Sequence, residues 1–94
     1  FAFCKDIVQG VNKNKKEIDE IIVSFSKNWS LERMSSVDRA ILRMATYEIV
    51  FSADKTPIAA IIDESVELAK KYSTENSGKF LNGILDKIKT KRNG

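Results

Sequence analysis

The stretch Ser36-Val37-Asp38-Arg39-Ala40-Ile41-Leu42-Arg43-Met44-Ala45-Thr46-Tyr47-Glu48-Ile49-Val50-Phe51 decides the fold. Wound at about 100° per residue, it gathers Arg39, Arg43, Thr46 and Val50 into one narrow arc and leaves nearly everything else apolar. A helix that is apolar around most of its circumference is buried on several sides. This one is therefore expected to be the central helix of a bundle, running from Val37 to about Phe51 with Ser35 or Ser36 as its N-cap. Glu48 projects among the apolar positions, between Val37 and Ile41. A buried carboxylate must find hydrogen bonds or a cation, so Glu48 reads first as a structural tie.

Outward from this helix the periodicity stays helical. Upstream, Phe3, Ile7, Val8 and Val11 follow one face, and Gly10 with Asn12 and Asn14 marks the end of that segment. Asn14, followed by Glu17, reads as the N-cap of a second helix whose stripe is Ile18, Ile21, Ile22 and Phe25, extended by Trp29. Residues 30–34 read as a turn or one short helical turn. Downstream, residues 52–56 form a loop, and the next helix begins at Pro57 or restarts at Asp63. Its expected core face is Ile58, Ile61, Ile62, Val66, Leu68, Ala69 and Tyr72. Residues 73–76 make a polar turn, Ser77 is the expected cap of the last helix, and Phe80, Leu81, Ile84, Leu85 and Ile88 form its stripe. Gly78 and Gly83 offer places where another backbone could come close. No strand pattern of useful length occurs. The expected fold is all-α, a compact bundle of five to six short helices.

Composition agrees with a single small domain spanning residues 1–94. The chain has 94 residues, 43% hydrophobic and 31% charged, with four Gly and one Pro. The longest unbroken apolar run, Ile58 to Ile62, is five residues, against the ~20 needed to span a bilayer. Neither a membrane role nor a signal peptide is expected, and the lone cysteine, Cys4, fits a reducing cytoplasm. The net charge of +3 resides at the end: residues 79–94 hold five Lys and Arg against one acid, so residues 89–94 read as a basic tail. The chain opens on Phe1-Ala2-Phe3 without Met, which reads as a piece of a longer or processed protein.

Residue types argue against catalysis. His is absent, which removes the commonest general base and the commonest metal ligand together. The pairs Asp19-Glu20 and Asp63-Glu64 are adjacent on helices and point apart, and Cys4 has no activating base. No catalytic residue, metal ligand or cofactor site is expected. What remains is a binding surface. Lys70 and Lys71 end one helix, Lys79 with Asn82 opens the next, and the turn 73–77 joins them; Arg39 and Arg43 lie one turn apart on the central helix. Lys and Arg hold phosphates, whereas Asn and Ser side chains can meet base edges.

Three of these stretches, in this order, resemble the NusB family of transcription antitermination factors. They are Trp29 with Ser36 to Glu48, then Pro57 with Ile62-Asp63-Glu64-Ser65-Val66-Glu67-Leu68-Ala69-Lys70-Lys71-Tyr72, and finally Lys79-Phe80-Leu81-Asn82-Gly83-Ile84-Leu85-Asp86-Lys87-Ile88. The opening Asp6 to Val11 also fits the family's third helix. The resemblance implies two small packed helical bundles and a role in binding boxA-type single-stranded RNA together with NusE, a ribosomal small-subunit protein. That complex helps the RNA polymerase elongation complex resist termination.

Carried over by position, Asn76, Ser77, Lys79, Phe80 and Asn82 fall in the region near RNA, which Lys70 and Lys71 flank. Asp38 falls where the family sets an acid against NusE, with Arg39 and Arg43 beside it. Asp38 is expected to serve that partner rather than the core, so that its neutralisation costs little stability. Asn76 stands where some relatives are acidic, and Asp63 where Asn is usual. The family carries two further helices before the matched part, the first led by an arginine-rich segment. The chain thus resembles the C-terminal two-thirds of such a factor, an N-terminally incomplete domain. Its first helices, with Phe1 and Phe3, are expected to leave apolar surface that favours a homodimer. Two other classes remain open: an accessory domain of a ribosomal RNA cytosine methyltransferase, and a helical module that binds protein only.

Overall fold

The computed structural model describes residues 4–26, 34–51 and 56–93. Phe1, Phe3, Trp29 and the turn and loop expected at residues 30–33 and 52–55 lie outside the described residues, as do the side chains of Cys4 and Ile7. The described residues form α1 (Cys4–Lys13), α2 (Lys15–Phe25), α3 (Ser36–Thr46), α4 (Ile58–Tyr72), α5 (Glu75–Ile88) and the single turn α6 (Thr90–Asn93), with no strand among them. The all-α expectation holds.

α3 is the central helix. It meets α1, α2, α4 and α5, and Ile41, Leu42 and Ala45 are buried along it. Ser35 is its cap, since the Ser35 Oγ accepts from the Asp38 backbone N–H at 3.1 Å. The helix reaches Phe51 as expected, but its last residues, Tyr47–Phe51, widen into a π-helical segment. That segment is held from outside. The guanidinium of Arg92, in α6, donates to the carbonyls of Glu48 and Ile49, each at 2.9 Å, and to that of Thr56. The expected basic tail is therefore anchored through Arg92, which supplies partners to carbonyls a helix end leaves open.

The polar arc of α3 does not face solvent. Arg43 makes a two-pronged ion pair with Asp19 of α2, Nε to Oδ1 at 2.8 Å and Nη2 to Oδ2 at 3.1 Å. Thr46 is fully buried and its hydroxyl has no hydrogen-bond partner among the described residues. Glu48 is half-buried within the π-helical segment.

Several caps differ from expectation. Asn14 holds the N-cap position of α2 as expected, but its side chain makes no cap hydrogen bond; it donates to the Gly10 carbonyl at 2.9 Å, so α1 and α2 meet at a joint where helical hydrogen bonding continues through Asn14. α1 passes through Gly10, against which the Tyr47 ring sits in space a Cβ would fill. α4 starts after Pro57 and runs unbroken past Asp63, which is exposed. Its core positions include Ser65, which is buried with its hydroxyl donating to the Ile61 carbonyl at 2.8 Å. Leu68 and Tyr72 turn outward instead, Tyr72 to 61% exposure, because the stripe follows 58, 61, 62, 65, 66 and 69. α5 starts two residues before Ser77. Thr74 is the cap, accepting from the Ser77 backbone N–H at 3.0 Å. Leu81, Ile84, Leu85 and Ile88 are buried as expected and Phe80 is half-buried against the core. Gly78 lets α4 and α5 close up, since a Cβ there would come within 3.0 Å of Lys70 Cγ; Gly83 faces open space.

Candidate nucleic-acid interface

Capping Thr74 instead of Ser77 frees the Ser77 side chain for another task. Its hydroxyl donates to Asp38 Oδ2 at 2.9 Å, tying the first turn of α5 to the first turn of α3. The hydroxyls of Ser73 and Thr74 lie 3.0 and 3.1 Å from the same Ser77 oxygen. Ser77 has one proton and gives it to a carboxylate, so its neighbours act as donors toward it. Asp38 is only 7% exposed, and its Oδ1 is buried with no partner among the described residues. The expectation that Asp38 stands apart from the core is thereby corrected. It occupies the position from which an acid closes a capping box, yet its side chain reaches across to another helix.

A pocket of about 260 Å³ opens at this junction. Met34, Ser35 and Asp38 line it from α3 and its lead-in; Thr74, Asn76, Ser77 and Phe80 line it from α5 and the turn before it. The structure thus joins residues that the sequence assigned to two purposes, Asp38 for a protein and Asn76, Ser77 and Phe80 for RNA. Met34, Ser35 and Thr74 were missed. Thr74 was legible, because a Thr three residues before Ser77 is as good a cap signal as Ser77 itself.

The expected cations sit around the same turn. Lys70, Lys71, Lys79, Asn76 and Asn82 are all exposed. The stem of Lys70 lies along Gly78, and Lys71 Nζ stands 5.4 Å from the Tyr72 ring centroid. The first turns of α3 and α5, whose free N–H groups favour negative charge, open at the pocket. The basic end of the chain does not join this cluster. It lies beyond Ile88, about 20 Å along α5 from the turn. There Lys89 pairs with Asp86 at 2.7 Å and Lys91 Nζ lies 5.9 Å from the Phe25 ring centroid. Arg39 is half-buried on α3, and Arg43 is committed to Asp19. The three residues expected to meet a protein partner therefore do not form one exposed patch.

Among the described residues no group of His, Cys, Asp or Glu is arranged to hold a metal ion, and no helix is long and apolar enough to cross a membrane.

Comparison with known proteins agrees with the fold and the motifs. The chain is 59% identical over 92 residues to the transcription antitermination protein NusB of Elusimicrobium minutum, covering 98% of this chain and 66% of that protein. It is 51% identical to the protein of the same name from Syntrophomonas wolfei, covering 99% of this chain and 69% of that one. Among solved structures, T. maritima NusB superposes with a TM-score of 0.84 at 50% identity, covering 90% of this chain and 59% of the other. A chain in the crystal structure of a plectonemic RNA supercoil superposes with a TM-score of 0.87 at 35% identity, covering 95% of this chain and 64% of that one. The chain thus spans roughly two-thirds of the length of the relatives it matches. The NusB family model matches residues 1–90, nearly the whole chain, and the chain belongs to the NusB family.

Proposed function

We propose that this chain is a non-enzymatic, cytoplasmic RNA-binding factor in transcription antitermination. It engages boxA-type single-stranded RNA together with NusE and so helps the RNA polymerase elongation complex resist termination. The observation that supports this most is the exposure of Lys70 and Lys71 at the end of α4 and of Asn76, Lys79 and Asn82 in the first part of α5, in a chain whose relatives carry the antitermination name. A structural neighbour that occurs in an RNA crystal supports the choice of RNA as ligand.

The roles divide by chemistry. Exposed lysines meet phosphates, while Asn76 and Asn82 supply amides that can both donate and accept. Ser77 and Phe80 are more enclosed and shape the pocket. NusE docks beside this face over Arg39; Arg43 contributes by fixing α3 to α2 through Asp19. Filter-binding titration with boxA-type RNA, with and without NusE, tests the assignment. The reading requires RNA retention that NusE strengthens. Retention indifferent to NusE points to the accessory-domain alternative, and NusE binding without RNA to the protein-only one.

A further inference from the structure

We propose that the outward face of α4 is a self-complementary docking surface on which a second copy of this chain lies antiparallel. The proposal does not rest on the RNA-binding reading, and the face is separate from the apolar surface of α1 and α2. α4 packs on α3, α5 and the π-helical segment through the stripe 58, 61, 62, 65, 66 and 69. Its other side carries Asp63, Glu64, Glu67, Leu68, Lys70 and Lys71, all exposed, and these residues line an open groove of about 780 Å³. Leu68 and, one turn on, Tyr72 are large apolar side chains left exposed on the same helix.

Charge along this face changes sign once, at Leu68. Three acids precede it and two lysines follow. Residues three and four apart on a helix are close enough to pair, yet none of these five charges forms an ion pair among the described residues. The helix dipole accounts for the lysines, which lie in the last turn, but not for the acids, because the first turn of α4 carries none. A polyanion or a polycation answers half of such a face and is repelled by the other half. A two-fold contact sets one patch against itself, so the patch must complement itself. This face does so when two copies run antiparallel, each set of acids then meeting the other copy's lysines. A parallel pairing would set like charges together. Leu68, at the change of sign, falls beside the two-fold axis and meets its own counterpart. With α4 about 22 Å long the contact is small, so the dimer is a weak one.

Sedimentation equilibrium of the 94-residue chain without RNA, from micromolar to millimolar concentration, tests this with two charge-reversed variants. One carries Glu64→Lys and Glu67→Lys, the other Lys70→Glu and Lys71→Glu. Each variant alone should dimerise about tenfold more weakly than the parent, the combined effect of a few exposed ion pairs. An equimolar mixture of the two should recover the parent's association, because each now presents a face of nearly one sign that fits the other. Added salt should weaken the parent dimer. Leu68→Cys in a Cys4→Ala background should cross-link to itself under mild oxidation, a readout that stands even if a charge-reversed variant fails to fold. A parent chain that stays monomeric at millimolar concentration overturns the proposal. So do variants that associate as strongly as the parent, which would put self-association on another face. A mixture no stronger than its separate components overturns it as well, as does a Leu68→Cys chain that does not cross-link.

Discussion

Thr46 and Asp38 both carry buried oxygens without partners among the described residues, and they differ in what surrounds them. Thr46 is fully buried in α3 just before the π-helical segment, and no described residue donates to its hydroxyl or accepts from it. Removing that hydroxyl while keeping the branched shape removes a desolvation cost. Thr46→Val should therefore stabilise the protein by about 1 kcal/mol. In a domain of this size that is a rise in Tm of roughly 4–8 °C, measurable by thermal unfolding followed by circular dichroism. A drop in Tm would mean the hydroxyl is satisfied in solution. Asp38 lines a pocket instead, in the first turn of α3 and within reach of α5. Neither outcome was legible from residue spacing. Periodicity put Thr46 on a polar arc with Arg39 and Arg43, and it could not say that α2 would cover that arc and answer Arg43 with Asp19. Local pattern specifies a face; the neighbour that covers it is a tertiary fact.

Among the elements, α1 and the segment closing α3 depend on small and long side chains that sequence alone left ambiguous. Gly10 marks no helix end; it makes room for Tyr47. Gly10→Ala gains about 1 kcal/mol of helix propensity but forces the ring away, at about 1–3 kcal/mol for overpacking, so the net change should be destabilising. Gly83 is the counter-case, exposed in the middle of α5 with nothing near it. Gly83→Ala should stabilise by about 0.5–1 kcal/mol. Urea unfolding of the two variants checks both signs, and the same sign for both would contradict the packing described here. At the other end of the molecule, Arg92 gives its guanidinium to three carbonyls of the π-helical segment and the approach to α4. Arg92→Ala should cost about 1–3 kcal/mol, since those acceptors lose their partner. Hydrogen exchange should then rise first around Tyr47–Phe51. The stripes of α2, α3 and α5 were readable because each repeats a strong apolar pattern. The start of α2 was readable too, with Asn14 at its N-cap position, whereas the start of α5 was not, since Thr74 and Ser77 are both acceptable caps and only the packed partner decides which one is used.

On the scale of the whole molecule, the all-helical bundle and its central helix were legible in the sequence, and the division of the surface was not. Apolar surface remains open on the first two helices, with Val8 at 50% and Val23 at 49% exposure. Sedimentation over a range of concentrations should accordingly show reversible self-association, and a single monomeric species at every concentration would contradict it. Charge counting placed the surplus in the last residues, but folding ties Arg92 to the π-helical segment and leaves the end of the chain remote from the α4–α5 turn. In the proposed mode of binding, Lys70, Lys71 and Lys79 hold RNA at that turn. The most direct measurement is the salt dependence of boxA-type RNA affinity for the parent chain and for the variant with all three lysines changed to Glu. Each lost phosphate contact lowers the slope of log affinity against log salt by about 0.7 for a single strand, so the variant should bind weakly with a slope flatter by up to about 2. A variant that is folded, as its melting curve shows, and keeps the parent slope would contradict the account.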